Sequence, residues 1–407
     1  MMPPVTRTNL RLSMLLLPGL AVVAAVSGSA QRAGKPGATT ANPAEATARV
    51  VAAAQAVVSS LDEAGKAKVQ FPFDGPQKAR WSNFPTGIFE RQGLRMGDLT
   101  PAQRTAVTTL LQAALSADGY RKVMEIIRGD EVLRTTDGGR GPRGGGPPAG
   151  RGPGGPPPAG TAPAGPPPGG GAPAGGAPAG GPPDQGRGRG RGGRGGSLVF
   201  GEAEYYLAFV GTPSTTSPWM LQFGGHHLAI NLTLAGRQAT MAPSLPAAQP
   251  ATYTFEGKEI RPLGKENDKA FALINALDEK QRAQALIGSR VADLVLGPGQ
   301  DGRVIQPEGL RASAMSTGQQ DMLLEIVRGW AGIMTDAFAS PRMAEIRSGL
   351  AQTYFAWSGP TTNGSAAYFR IQGPTLVIEY APQGSVDHIH TIYRDPTNDY
   401  GAKYAAK

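Results

Sequence analysis

Two hydrophobic periods alternate along this chain. Ala44 to Leu61 repeats small apolar residues at helical spacing. Thr100-Pro101-Ala102-Gln103 presents a capping box with proline at the first helical position, which predicts a helix running through Leu110, Leu111 and Leu115. Asp118 opens another, through Val123, Ile126 and Ile127. Further along, the period changes to two, and Glu204 to Val210, Trp219 to Phe223 and Leu228 to Leu234 read as strands between clusters of Pro, Gly, Ser and Thr. Helical spacing returns from about Glu266 to Ile287 and from Gln319 to Leu350, the latter behind Ser316 and Thr317 as caps. The chain then finishes in strands, Gln352 to Trp357, Ala367 to Ile371, Thr375 to Ala381 and Val386 to Arg394, whose short connections predict an antiparallel meander. The predicted class is α+β: a largely antiparallel sheet packed with an N-terminal and a central group of helices.

Two stretches stand outside this pattern. Arg7 and Arg11 precede an apolar run from Met14 to Val26 that ends in Ser27-Gly28-Ser29-Ala30. This is the layout of an export signal over residues 1–30, too short to span a bilayer comfortably, and residues 31–43 follow as a flexible N-terminus. The expected location is secreted or periplasmic, with no transmembrane segment once the signal is cleaved. The absence of cysteine excludes disulfides, thiolate metal sites and cysteine nucleophiles. Between residues 137 and 196 the chain is almost entirely Gly, Pro, Ala and Arg, with no residue able to build a core, so an insert without a fixed fold is expected there. It separates a helical part, 44–136, from an α+β part, 197–407. The same composition locates the charge. Of the net +9, the signal holds +2 and the insert +5, from seven arginines less Asp137 and Asp184, leaving +2 for the rest. A nucleic-acid partner for the folded part is therefore not expected.

The four histidines form two tight pairs, His226-His227 and His388-Ile389-His390. Imidazole is the commonest metal ligand and the commonest acid/base near neutral pH, so the pairs suggest one composite site. A short loop at Pro382-Gln383-Gly384-Ser385 would pair Ala381 with Val386, setting Glu379 opposite His388 and Val377 opposite His390. Glu379, His388 and His390 would share one face, and Leu376, Ile378, Tyr380 and Ile389 the core face. On the strand after Gly224-Gly225, His227 would share a face with Ala229, Asn231 and Thr233, which ranks His227 ahead of His226 as a further ligand. Glu379 is a candidate ligand, base or ion-pair partner. Arg394 offers a planar fork for a carboxylate or phosphate, or is held by Asp395 or Asp399. Trp219, Trp357, Asn231, Tyr393, Asp395 and Asp399 are candidates to line a substrate site.

Several motifs resemble one family closely. Tyr354-Phe355-Ala356-Trp357-Ser358-Gly359-Pro360, Tyr368-Phe369-Arg370-Ile371-Gln372-Gly373-Pro374, Ile378-Glu379-Tyr380 and the run from His388 through Tyr393-Arg394-Asp395-Pro396 to Gly401 are similar to domain-of-unknown-function family 3500. So are Pro218-Trp219 with Gly225-His226-His227-Leu228 and Asn231, and Trp81, Asn83 and Pro85 with the helix from Thr100. The resemblance implies that both flanks of the insert form one domain and that the two histidine motifs meet. The expected function is a metal-dependent enzyme, hydrolytic or oxidative, holding Zn, Cu or Fe and acting on a small molecule or peptide. The alternative is a non-catalytic exported protein that binds a peptide, sugar or small acid through the same His/Trp/Tyr/Arg residues.

Overall fold

A computed structural model describes residues 42–136, 198–288 and 291–404. The expected export signal lies outside these residues, as do the insert and the N-terminus up to residue 41. The helices are α1 (Pro43–Ser59), α2 (Glu63–Val69), α3 (Pro101–Ala114), α4 (Ala117–Thr136), α5 (Gly264–Ala276), α6 (Glu279–Ala285), α7 (Thr317–Ala331) and α8 (Asp336–Ser348). The strands are β1 (Gln70–Phe71), β2 (Leu94–Arg95), β3 (Tyr206–Val210), β4 (Trp219–Gly225), β5 (Leu228–Ala235), β6 (Gln238–Thr240), β7 (Leu245–Pro246), β8 (Tyr253–Phe255), β9 (Lys258–Ile260), β10 (Leu310–Arg311), β11 (Tyr354–Ser358), β12 (Tyr368–Gly373), β13 (Leu376–Pro382) and β14 (Ile389–Arg394). The class is α+β with mostly antiparallel sheets, and the final meander runs in the order β10-β11-β12-β13-β14. No helix among the described residues is long and apolar enough to cross a membrane.

The predicted helix over Glu266 to Ile287 is two helices, because Asp278 caps a new one: its side chain accepts from Gln281 N. The stretch from Gln319 to Leu350 likewise breaks, into α7 and α8. The capping box at Thr100–Gln103 forms as predicted, and Ser316–Gln319 forms its counterpart at α7.

Those two boxes belong to a repeat that runs through the whole fold. Leu61-Asp62-Glu63 and Leu277-Asp278-Glu279 each open a short helix capped by the aspartate. Gly93-Leu94-Arg95 and Gly309-Leu310-Arg311 each begin with a glycine at positive φ, +116° and +97°, where an added Cβ would lie 2.3 Å from a carbonyl oxygen, of Leu207 in one case and Phe355 in the other. The strands repeat in register. Leu207 pairs with Phe223 and Phe223 with Ile230 in one sheet, as Phe355 pairs with Ile371 and Ile371 with Ile378 in the other. Even the parallel contact is shared: Gln70 pairs with Phe209, and Leu286 bridges Trp357. The fold is therefore two copies of one α+β unit.

The copies meet through equivalent positions, as an internal two-fold arrangement requires. Leu115, after α3, bridges Met334, after α7, with Ser116 N bonded to Ile333 O and Thr335 N to Ala114 O. The segment around β7 runs antiparallel to β14, Ser244 opposite Tyr393 and Ala248 opposite Ile389. Each half also lends residues to the other's core. Ile333, Met334, Ala337 and Phe338 pack with Leu110, Phe209 and Trp219, whereas Ala242, Ala248 and Ala251 pack with Trp330, Trp357 and Phe369.

Candidate metal centre

β4 and β5 pair down to Gly225 and Leu228, so His226 and His227 are the two residues of the hairpin turn and not part of a strand. His227 takes φ 59° there, a left-handed conformation that costs a branched or bulky L residue strain. Its backbone is held on both sides: its N–H reaches Asn83 O at 3.4 Å, and its carbonyl accepts from Ala247 N at 2.8 Å. Arg91 ties the same turn to the segment carrying Asn83, its Nη2 donating to Ser82 O, Phe84 O and Gly225 O at 2.7–2.8 Å.

The register of the last hairpin differs from the prediction. Pro382 pairs with Ile389 and Ala381 with His390, so the loop holds Gln383 to His388 and every partner moves by four residues. Gln383 N donates to His388 O at 2.7 Å and closes this longer loop. A slip of four preserves which side chains share a face, because the strand period is two. Glu379 and His390 therefore stay on one side of the sheet, but Glu379 faces Ile392, not His388.

His388 leaves the loop beside His390, and both meet His227 from the other half. His227 Nε2 lies 3.0 Å from His388 Nε2, which is 3.1 Å from His390 Nε2. The three donor atoms fall within 4.8 Å of one another, and this triad could hold a metal ion. An ion about 2.0–2.1 Å from each nitrogen at tetrahedral angles places ligands about 3.3 Å apart, close to the 3.0 and 3.1 Å of the two contacts through His388. Burial, with the neighbouring imidazoles adding to it, pushes His227 well below the usual imidazole range and His388 down to about 4. Both are therefore neutral at pH 7, the form that ligates. His390 Nδ1 contacts Asp293 Oδ1 at 3.0 Å, and Asn83 Nδ2 contacts its Nε2 at 3.1 Å. In the neutral ring a carboxylate at Nδ1 draws the one proton there, and the Nε2 lone pair then faces both the Asn83 amide, a donor, and His388. Burial is the largest influence on Asp293 and raises it, but the hydrogen bond and charge of His390, the Leu294 N–H and Gln383 together outweigh it, and the carboxyl sits below its ordinary range.

The other sequence candidates go elsewhere. His226 lies outside the triad. Its Nδ1 contacts Asp130 Oδ1 at 2.6 Å, and its ring stacks on His227 with centroids 3.6 Å apart. Glu379 is fully buried and accepts from Val295 N, Leu296 N and Tyr368 Oη. Arg394 donates to Leu296 O and Gly297 O and pairs with Asp301 and Asp399, while Asp395 pairs with Arg342. Trp219 and Trp357 are fully buried in the two cores, and Tyr393 accepts from Arg342 Nε at 2.8 Å. Asn231 is buried between Gln222 and Pro243 O. The tryptophan, tyrosine and arginine side chains proposed to line a ligand site therefore do not line one together. Asp293 and Asp130 were not singled out from the sequence. Asp130 had a signal, a carboxylate on the face of α4 that also buries Ile126, Ile127 and Leu133. Asp293 had none, lying in an aperiodic segment.

The family described as protein of unknown function (DUF3500) matches residues 43–402. No curated protein and no solved structure matches the chain.

Proposed function

We propose, from the premise that the chain belongs to the DUF3500 family, that it is an exported metal-dependent enzyme whose ion is held by His227, His388 and His390. The observation that carries this reading is the convergence of three imidazole Nε2 atoms, two of them in rings that burial keeps neutral. His388 Nε2 sits 3.0 Å from one partner nitrogen and 3.1 Å from the other, and facing lone pairs at those distances repel unless a cation or a shared proton lies between them. Zn, Cu and Fe all accept an all-imidazole set. Such an ion with an open position would acidify a bound water or polarise a substrate carbonyl. His227 and His390 are buried and His388 is half-buried, so a small-molecule or peptide substrate approaches on the His388 side. Asp293, which contacts the triad through His390, is already engaged there and is not a free base. Export rests on Arg7, Arg11 and the apolar run to Ala30, together with the absence of cysteine.

A second reading has its own observation: the ligands come from both halves, so an ion would also tie the β4–β5 turn to β14 and act structurally. Elemental analysis of the mature protein without a histidine tag tests both. Near-stoichiometric metal, lost in His227→Gly and His388→Ala, supports the site; folded protein that neither carries nor takes up Zn²⁺ or Cu²⁺ would sink it. Metal that raises the melting temperature but supports no turnover would favour the structural role.

A further inference from the structure

Each half lays an irregular strap across the outer face of its own sheet, and each strap delivers one side chain to His390. The first, 72–92, is held by Gln222 on β4, whose amide donates to Gln77 O and Lys78 O, and supplies Asn83. The second, 291–308, is held by Arg370, Gln372, Glu379 and Arg394, and supplies Asp293. The anchors occupy equivalent places: Gln222 pairs with Asn231 across β4–β5 as Arg370 pairs with Glu379 across β12–β13.

We propose that Glu379 is a positioning residue for the histidine site, seating the second strap so that Asp293 keeps the His390 proton on Nδ1. This rests on the metal-site reading for its consequence, though not for its geometry. The Glu379 carboxylate takes two consecutive backbone donors, Val295 N at 2.9 Å and Leu296 N at 2.7 Å, and Tyr368 Oη holds it from the other side at 2.6 Å. Arg394 grips the same stretch through its carbonyls, Leu296 O at 2.8 Å and Gly297 O at 3.0 Å. Asp293 lies two residues before this double grip. Its own side chain is 54% exposed, so it is held by polar contacts and by the strap's backbone, with Leu294 N donating to its Oδ1 at 2.6 Å. Gln383 Nε2 supplies a second, weaker tie at 2.8 Å to Asp293 Oδ1. A glutamine at 379 keeps the shape but offers one acceptor oxygen to two N–H groups, so the strap shifts and Asp293 turns to water.

Two readouts test this, one of them free of metal. Histidine ¹⁵N spectra of the metal-free protein report which His390 nitrogen carries the proton, and competition with a chelating dye reports zinc affinity. Glu379→Gln is expected to move His390 from Nδ1–H toward Nε2–H and to weaken zinc about 10–100-fold, as Asp293→Asn does. The double variant is expected to bind no more weakly than Asp293→Asn alone, because both act through one contact. Gln383→Ala, in the hairpin loop, is expected to shift the tautomer in the same sense by less, and it stands in if Glu379→Gln fails to fold. An unchanged His390 tautomer in both variants, or losses that multiply in the double variant, would overturn the proposal. Failure of the parent protein to take up zinc would sink the metal reading alone, since the tautomer is read without metal.

Discussion

His226 and His227 are neighbours in sequence and stacked in space, yet truncating them should have opposite consequences. The His226–Asp130 contact is 2.6 Å long, with 6% and 1% of the two side chains exposed. His226→Ala leaves Asp130 buried with the Gly201 N–H, at 3.0 Å, as its remaining donor. Breaking a buried pair of this kind costs about 3–5 kcal/mol, a large part of a typical total of about 5–15. The three triad imidazoles all remain, with His227 losing only the ring stacked on it. His227→Gly removes a donor, but it also releases a residue from φ 59° and deletes a buried Nδ1 that has no hydrogen-bond partner. The strain is worth about 1–2 kcal/mol and the orphaned nitrogen about 1–3, which together offset much of the packing lost with the ring. The metal-free His227→Gly protein should therefore stay within about 2 kcal/mol of its parent, while its zinc affinity falls further than the ~10–100-fold typical of losing an outer partner. Urea unfolding of the metal-free proteins and zinc competition near pH 7.5 measure both quantities. The division of roles would be refuted by a His226→Ala protein as stable as its parent, or by one that stays folded and loses zinc as completely as His227→Gly.

Three further outcomes follow from the same geometry. Gly93→Ala and Gly309→Ala should each destabilise by about 2–4 kcal/mol in urea unfolding, since both put a Cβ against a carbonyl at a positive φ; a tolerated substitution at either would break the equivalence of the two halves. The metal-free protein should lose stability as pH falls from about 6.5 toward 4, because His388 and His227 are held neutral in the fold and the unfolded chain binds more protons across that window; denaturation midpoints independent of pH there would contradict the burial of the triad. Lys122→Met should cost about 3–5 kcal/mol, since Lys122 Nζ is 2.6 Å from Glu266 Oε1 in a buried pair whose other carboxylate oxygen already lacks a partner, and the Lys122→Met/Glu266→Gln double variant should recover part of that loss in the same assay.

Where the sequence could be read, a local rule was sufficient. The capping box at Thr100, the switch from helical to strand period and the meander over Tyr354–Arg394 depend on residues within one element or its neighbour. The face shared by Glu379 and His390 was legible because parity survives a loop of the wrong length, whereas the partner of Glu379 was not, because six loop residues look like four until Gln383 N finds His388 O. The placement of His226 and His227 on a strand failed for a related reason: histidine is not a residue whose presence announces a left-handed turn. Asp293 was out of reach because its position is set by Glu379 and Arg394, far along the chain, through the backbone of an aperiodic strap. The repeat was legible in principle. Leu-Asp-Glu followed by Gly-Leu-Arg and a capping box occurs twice in the same order.

Duplication explains why the site exists and also why it is single among the described residues. An internal two-fold brings the turn of one half against the last strand of the other, so a composite site needs residues from both copies and is completed only when they dock. The same operation should create a second such place, where Pro374 and Thr375 form the turn between Gly373 and Leu376. There the chemistry has diverged. Thr375 stands where His227 does, and its carbonyl and hydroxyl are taken by Arg342, which also reaches Tyr393, Glu345 and Asp395. Thr240, opposite Thr233, stands where His390 lies opposite Ala381, and Gly401 packs against Thr233 while Tyr400 N bonds to Ala242 O. One copy of the seam is thus closed by an arginine cluster and the C-terminal turn, where Tyr400 takes φ 57°, while the orphaned imidazole nitrogen, His227 Nδ1, lies at the other. Ion pairs and backbone bonds fill one copy, while the other brings together three imidazoles that could hold a metal ion, so a symmetric scaffold carries an asymmetric pair of sites.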